Sequence, residues 1–229
     1  MLLSLDLDEV NKNIAYIYGT PFGSIEIQLI DKFGNPIQSI AMDALPKAIC
    51  FDWEGNLWVL DSHWEAKVFN VDDDFLEDPC VGYLLEPLEG RIYDMAINFR
   101  NHALYIFGQG ADGMGQLTKI KYDGTLGGIY SPVFDPVVGP SNFGDIIIDN
   151  EGPEGTSDCR IEVFAGESTG AVARFDSELN LSQQMRYSFW GIKAVCLLPY
   201  SVLPGSDCVI ALEACCGRYF DRYLPPADW

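Results

Sequence analysis

Lysine, arginine and histidine are scarce in this chain. Only 14 Lys and Arg stand against 34 Asp and Glu among 229 residues, a formal net charge of −20 and an isoelectric point near 4.2. Phosphate backbones and anionic lipid headgroups are bound by clustered Lys and Arg that displace counterions, so nucleic acid and membrane surfaces are excluded as expected partners. A basic protein, a cation or a neutral glycan suits such a surface. The seven cysteines (Cys50, Cys80, Cys159, Cys196, Cys208, Cys215, Cys216) form no C-x-x-C pair, and only His63 and His102 are there to help them, so zinc-finger and zinc-ribbon spacing is absent. No uninterrupted apolar run reaches membrane-spanning length. The opening Met1-Leu2-Leu3-Ser4-Leu5-Asp6-Leu7-Asp8 has no cationic region and does not read as a secretory signal. The expectation is a soluble protein, cytoplasmic or assembled into a particle, with reduced and buried thiols. A disulfide between Cys159 and Cys208, which begin comparable strands, is the alternative.

What the chain does have is turns and repetition. With 22 Gly and 13 Pro spread through a sequence that is 48% hydrophobic and 13% aromatic, it reads as one folded, turn-rich domain. Five segments share one cadence of alternating strand, turn and aromatic-rich strand. Ser4–Asp8 leads to Ala15–Gly19, Ala48–Asp52 to Leu57–Asp61, Asp94–Asn98 to Leu104–Gly108, Asp145–Asp149 to Ile161–Ala165, and Ala194–Leu198 to Cys208–Leu212. From Ser4 through Ala48, Asp94 and Asp145 to Ala194 the steps are 44, 46, 51 and 49 residues, the spacing of four-stranded propeller blades. The pattern predicts an all-β, five-bladed β-propeller with blades at about 2–42, 47–85, 92–134, 144–189 and 192–224.

Alternation within the first strand of each segment assigns its two faces. Leu5, Ile49, Met95, Ile146 and Val195, and two residues later Leu7, Phe51, Ile97, Ile148 and Leu197, are apolar in every copy, so this face is expected to pack on an adjacent blade. The opposite face carries Ser4, Ala48, Asp94, Asp145 and Ala194, then Asp6, Cys50, Ala96, Ile147 and Cys196, and is expected to line a narrow axial channel.

The stretch Ala48-Ile49-Cys50-Phe51-Asp52-Trp53-Glu54-Gly55-Asn56-Leu57-Trp58-Val59-Leu60-Asp61 resembles the repeat of NHL and gluconolactonase-type propellers, whose blades carry an Asp-x-x-Gly-Asn-aromatic turn. The resemblance is a motif in this blade and a cadence elsewhere. It implies a propeller fold and, for part of that superfamily, calcium- or zinc-dependent lactonase chemistry with acidic and amide ligands on the axis. The family's opening Glu-Gly-Pro with a following Trp is not on a first inner strand, since Glu151-Gly152-Pro153 falls in a turn. The Gly-His and Trp-Asp pairs of WD40 blades and the Asp-boxes of sialidases are also missing.

Candidate chemistry is sparse. Asp94 and Asp145 fall at one tier of adjacent inner strands, where they would meet a hard cation such as calcium on the channel axis, completed by backbone carbonyls, Asn142 or water. The alternative is that these acids accept hydrogen bonds from backbone donors. Asn70, Asp72 and Asp74 imitate a calcium loop, but Phe75 and Val81 stand where that loop needs Gly and Glu, so an acidic surface loop is expected. Gly108–Gly115 has the glycines of a phosphate loop without a following helix and reads as a blade loop. His63 and His102 lie in turns with no nucleophile placed for them, and Cys50 and Cys196 read as small buried side chains.

The last segment supplies a third strand, Arg218–Tyr223, before Leu224-Pro225-Pro226, so blade five is expected to have three strands and an open edge. Strand addition or self-association there would engage Arg218, Phe220, Tyr223 and Trp229. The function expected is a non-enzymatic interaction or structural subunit of a larger protein assembly, such as a virion or phage tail, without a required cofactor. The alternative is a metal-dependent, lactonase-like hydrolase.

Overall fold

Runs of four to nine residues with period-two alternation, punctuated by Asp, Asn and Gly, become nineteen β-strands and no helix among the described residues of the computed structural model. The structure describes residues 2–8, 10–19, 25–70, 76–84, 91–110, 112–131, 144–149, 160–165, 171–186, 192–198, 208–213 and 220–223; at 2–3, 76–84, 144–145, 147, 149, 160, 162–165, 171–172 and from 183 onward the backbone alone is described. Among these residues no helix is long and apolar enough to cross a membrane.

The strands form five antiparallel sheets, each an up-and-down meander. Sheet 1 is β1 (Leu2–Leu7), β2 (Ile14–Gly19), β3 (Ile25–Ile30) and β4 (Pro36–Ile40); sheet 2 is β5 (Pro46–Phe51), β6 (Leu57–Asp61), β7 (Glu65–Asn70) and β8 (Leu76–Leu84). Sheet 3 is β9 (Ile92–Asn98), β10 (Ala103–Gln109), β11 (Gly115–Ile120) and β12 (Leu126–Tyr130); sheet 4 is β13 (Gly144–Asp149), β14 (Arg160–Ala165), β15 (Ala171–Phe175) and β16 (Leu181–Arg186). Sheet 5 has three strands among the described residues: β17 (Ile192–Leu198), β18 (Cys208–Glu213) and β19 (Phe220–Tyr223). The first strands stand side by side, β1 against β5, β5 against β9, β9 against β13 and β13 against β17, so consecutive sheets stack face to face around their inner strands.

The core lies between sheets. Ile49, Phe51, Leu57, Val59 and Phe69 on the leading face of sheet 2 pack on Ala15, Ile17, Ile27, Leu29 and Ile40 of sheet 1. Met95, Ile97, Leu104, Ile106 and Ile120 of sheet 3 pack on Ala48, Cys50, Trp58, Leu60, Ala66 and Val68 of sheet 2. Ile146, Ile161, Ala173 and Phe175 of sheet 4 meet Ala103, Tyr105, Phe107 and Leu117 of sheet 3. Each sheet therefore has a leading face toward its predecessor and a trailing face toward its successor.

Two sequence expectations are corrected here. Ala48 and Cys50 do not line a channel: they are buried under Met95 and Ile97, because a blade stands radially and both of its faces look at neighbouring blades. The leading face of sheet 1 is not covered either. Leu5 and Leu7 are 57% and 49% exposed, whereas Ile49, Phe51, Met95, Ile97 and Ile146 at the corresponding positions are at most 4% exposed. No contact like those between the other first strands joins β17 to β1 among the described residues.

The turns repeat as closely as the strands. In Asp52–Asn56 the Asp52 N–H donates to the Asn56 carbonyl, Gly55 N–H donates to the Asp52 carbonyl, and the Asp52 carboxylate receives the N–H groups of Glu54 and Asn56. This is a type I turn followed by a left-handed residue, which fits the twist of the flanking strands. Asp31–Asn35 and Asp176–Asn180 make the same bonds. Gly55 has φ +87°, which favours glycine, and a Cβ there would displace the Asn11 side chain and crowd the Asp8 carboxylate in the neighbouring turn of sheet 1; Leu179 takes the same left-handed position, φ 64°, in Asp176–Asn180. Gly108–Gly115, read as a blade loop, is the β10–β11 hairpin, with Gly110 N–H donating to the Met114 carbonyl.

Candidate functional site

In a meander the turns after first and third strands share one end of the sheet, and here these turns also meet across sheets. Trp53, in the β5–β6 turn, lies flat on His102 of the β9–β10 turn, with ring centroids 3.5 Å apart and planes 9° from parallel. Tyr122 of the β11–β12 turn closes on both edgewise, at 5.4 Å from Trp53 and 6.0 Å from His102. His102 reaches this position from a left-handed backbone, φ 55°, fixed by the Asn98 side chain, which accepts the Arg100 and Asn101 N–H groups. Trp53 and His102 are half-buried and Tyr122 is 47% exposed, so the rings form a rigid surface plate rather than a core. Glu54, Arg100, Lys121 and Asp123, in the same three turns, are exposed.

The plate rests on a polar anchor. Asp52 is 3% exposed, and its second oxygen accepts Trp58 Nε1 at 3.0 Å and Asn56 Nδ2 at 3.1 Å. Trp58 lies under Tyr122, with centroids 6.4 Å apart. Similar ties join sheet 3 to sheet 4: Tyr105 donates its hydroxyl to the Ser177 carbonyl, and Lys119 Nζ donates to the same carbonyl and to Glu178 at 2.8 Å. The Asp31 carboxyl is held below its ordinary range, chiefly by the Asn35 side chain, and Asp123 likewise by Thr125, so both acids at this end stay ionised.

At the inner strands the carboxylates bind backbone. Asp6 on the trailing side of sheet 1 accepts the Phe51 N–H of sheet 2 at 2.7 Å, and Asp94 of sheet 3 accepts the Ile146 N–H of sheet 4 at 3.2 Å. Each acid reaches the next blade one position further along, a charge-assisted tie that sits where the bulk of the core ends. The Asp145 backbone pairs with Phe164 in β13–β14, and its side chain lies outside what is described. Among the described residues no group of three or more His, Cys, Asp or Glu is placed to hold a metal ion.

Cys50 is fully enclosed between sheets 2 and 3, and its thiol is pushed well up, first by burial and then by the charges of Asp6, Asp94 and Asp52. A thiolate nucleophile is the opposite of what this environment produces. A thiol-specific reagent at pH 8 is expected to leave Cys50 unlabelled in the native protein and to label it after denaturation, read by peptide mass spectrometry. Native labelling at the rate of an exposed thiol would show that sheets 2 and 3 separate.

His63 is exposed in the turn that Asp61 organises by accepting the His63 and Glu65 N–H groups. Phe220 and Tyr223 belong to β19, paired with Leu212 and Val209, and their side chains lie outside the description, as do Arg218, Trp229 and residues 71–75. The aromatic plate has no sequence signal that joins its members: Trp53, His102 and Tyr122 come from three turns, and only the registers of two blades bring them together.

No family model matches the chain, and no curated protein matches it. Solved structures do. Sqt1 of Saccharomyces cerevisiae superposes on 93% of the chain with a TM-score of 0.56 and 10% identity, and the WD40 β-propeller domain of Doa1 on 92% with a TM-score of 0.58 and 12% identity. The chain spans 56% and 61% of those two structures' length. At such identities the likeness shows the fold alone: this is a β-propeller architecture. The NHL-type motif remains confined to residues 48–61.

Proposed function

We propose that the protein is a non-catalytic interaction module, a propeller subunit that holds a protein partner against its turn end within a larger assembly. The observation that carries this reading is the Trp53–His102 stack capped by the half-exposed Tyr122. Aromatic rings fixed in place lose little conformational freedom on binding, and Trp, Tyr and Arg dominate the energetics of protein interfaces. The plate carries Trp53 and Tyr122, with Arg100 exposed in the turn of His102, and the net charge of −20 favours a basic partner. The inner-strand acids Asp6 and Asp94 and the buried Cys50 serve the packing of blades, and among the described residues this leaves the surface plate as the part suited to a ligand.

The test is affinity capture from the source cells with wild-type protein and the Trp53→Ala/Tyr122→Ala variant side by side, followed by titration of the captured partner. Loss of two ring contacts of hot-spot quality weakens binding by about 30-fold or more, with an unchanged circular dichroism spectrum. Equal affinity of the two proteins would overturn the proposal.

A further inference from the structure

The leading face of sheet 1 is an interblade face on which no other sheet lies among the described residues. Leu5 pairs with Tyr16 and Leu7 with Ile14 across β1–β2, and Tyr16 and Ile14 pair with Gln28 and Ile30 of β3, so these side chains share one face. None of them is buried, and Val10 beside them is 52% exposed. On sheets 2, 3 and 4 the first-strand positions of Leu5 and Leu7 are apolar, and each time the cover is the trailing face of the preceding sheet.

The interface of sheets 2 and 3 shows one cover that fits: its trailing first strand offers the small Ala48 and Cys50 to the larger Met95 and Ile97, whereas sheets 1 and 3 place Asp6 and Asp94 on that strand. The chain carries a second strand of that pattern: Ala194 and Cys196 in β17 occupy the register positions of Ala48 and Cys50. In this structure β17 stands against β13 and makes no comparable contact with β1 among the described residues.

We infer that the leading face of sheet 1, centred on Leu5 and Leu7, is covered in solution by sheet 5 of a second copy of this chain. The contact is heterologous, leading face on trailing face, and continues the blade stacking from one chain into the next. Two such contacts close a dimer; open-ended addition gives longer assemblies. It uses a different surface from the turn-end plate and does not rest on the partner proposed for it. Two chains of charge −20 repel, so added salt strengthens the association, whereas a contact made by opposite charges would weaken.

The experiment is mass measurement by light scattering on the full chain and on Leu5→Glu/Leu7→Glu, in low and high salt. Wild type is expected at a multiple of 25.5 kDa, increasingly so with salt, and the variant at 25.5 kDa with its circular dichroism retained. Lysine cross-linking of a mixture of light- and heavy-isotope wild-type chains is the second readout, independent of whether the variant folds. Cross-links between residues 1–30 and 192–223 carrying mixed labels support the inference. A wild-type chain that stays monomeric at about 100 μM, an oligomer unchanged in the variant, or same-label links alone would each overturn it, the last showing that sheet 5 closes on its own sheet 1.

Discussion

Asp52→Ala lowers the stability of the protein by about 3–5 kcal/mol, seen as a fall of roughly 10 °C in the thermal midpoint by circular dichroism. The size follows from what the carboxylate holds. Asp52, 3% exposed, receives the Asn56 N–H, the Asn56 amide and the Trp58 indole in buried bonds and the Glu54 N–H in a part-buried one. Truncation leaves these donors in an enclosed space, and a buried donor without a partner costs about 1–3 kcal/mol. Asp52→Asn separates the contributions. Its single amide oxygen keeps the turn, while its NH2 faces the Trp58 and Asn56 donors, so an intermediate loss is expected. A change below 1 kcal/mol in Asp52→Ala would mean that water or neighbouring groups take over the carboxylate's place.

Phe107→Ala has an effect of similar size and a different form. Phe107 is fully buried between sheets 3 and 4, in one cluster with Leu117 and Phe175 and 5.4 Å from the Tyr93 ring. Deleting such a ring costs about 3–5 kcal/mol, through lost transfer free energy and the cavity left behind. Because each sheet packs only on its neighbours, that loss falls on one interface and leaves those between sheets 1, 2 and 3 intact. Urea unfolding is therefore expected to split into two transitions, with sheets 4 and 5 released first, and limited proteolysis to yield a stable fragment near residue 130. A single cooperative transition shifted as a whole would show that the five sheets unfold as one unit despite the neighbour-only packing.

How far the sequence reached can be judged from β5. Its alternation, Ala48-Ile49-Cys50-Phe51, announced a strand with two distinct faces, and the Asp-x-x-Gly-Asn sequence after it announced the turn; both are present. The four other first strands were legible for the same reason, because period two and turn chemistry are local properties. What alternation does not encode is what each face looks at. Cys50 and Asp6 were assigned to a channel, although one is buried beneath sheet 3 and the other tied to the Phe51 amide, since the radial stance of a blade is a property of the stack. Leu5 and Leu7 follow the apolar pattern of their counterparts and are nevertheless exposed, for the sequence of a face is silent about whether a neighbour arrives. The Trp53–His102–Tyr122 plate was hidden for the same reason. Its members belong to the turns of two blades, and no local rule connects residues about 50 positions apart.

Each interblade cluster joins a sheet only to the sheet written just before or after it. During synthesis, the surface that the leading face of sheet 2 packs on has left the ribosome once sheet 1 is complete, and the same holds for the leading faces of sheets 3 and 4. Growth then proceeds from the N-terminus one blade at a time, with loop-closure distances set by a single repeat and not by the whole chain. A nascent chain stopped after sheet 1, 2 or 3 presents an unfinished trailing face besides the open leading face of sheet 1, and the next 45 or so residues to emerge are the ones that cover the trailing face.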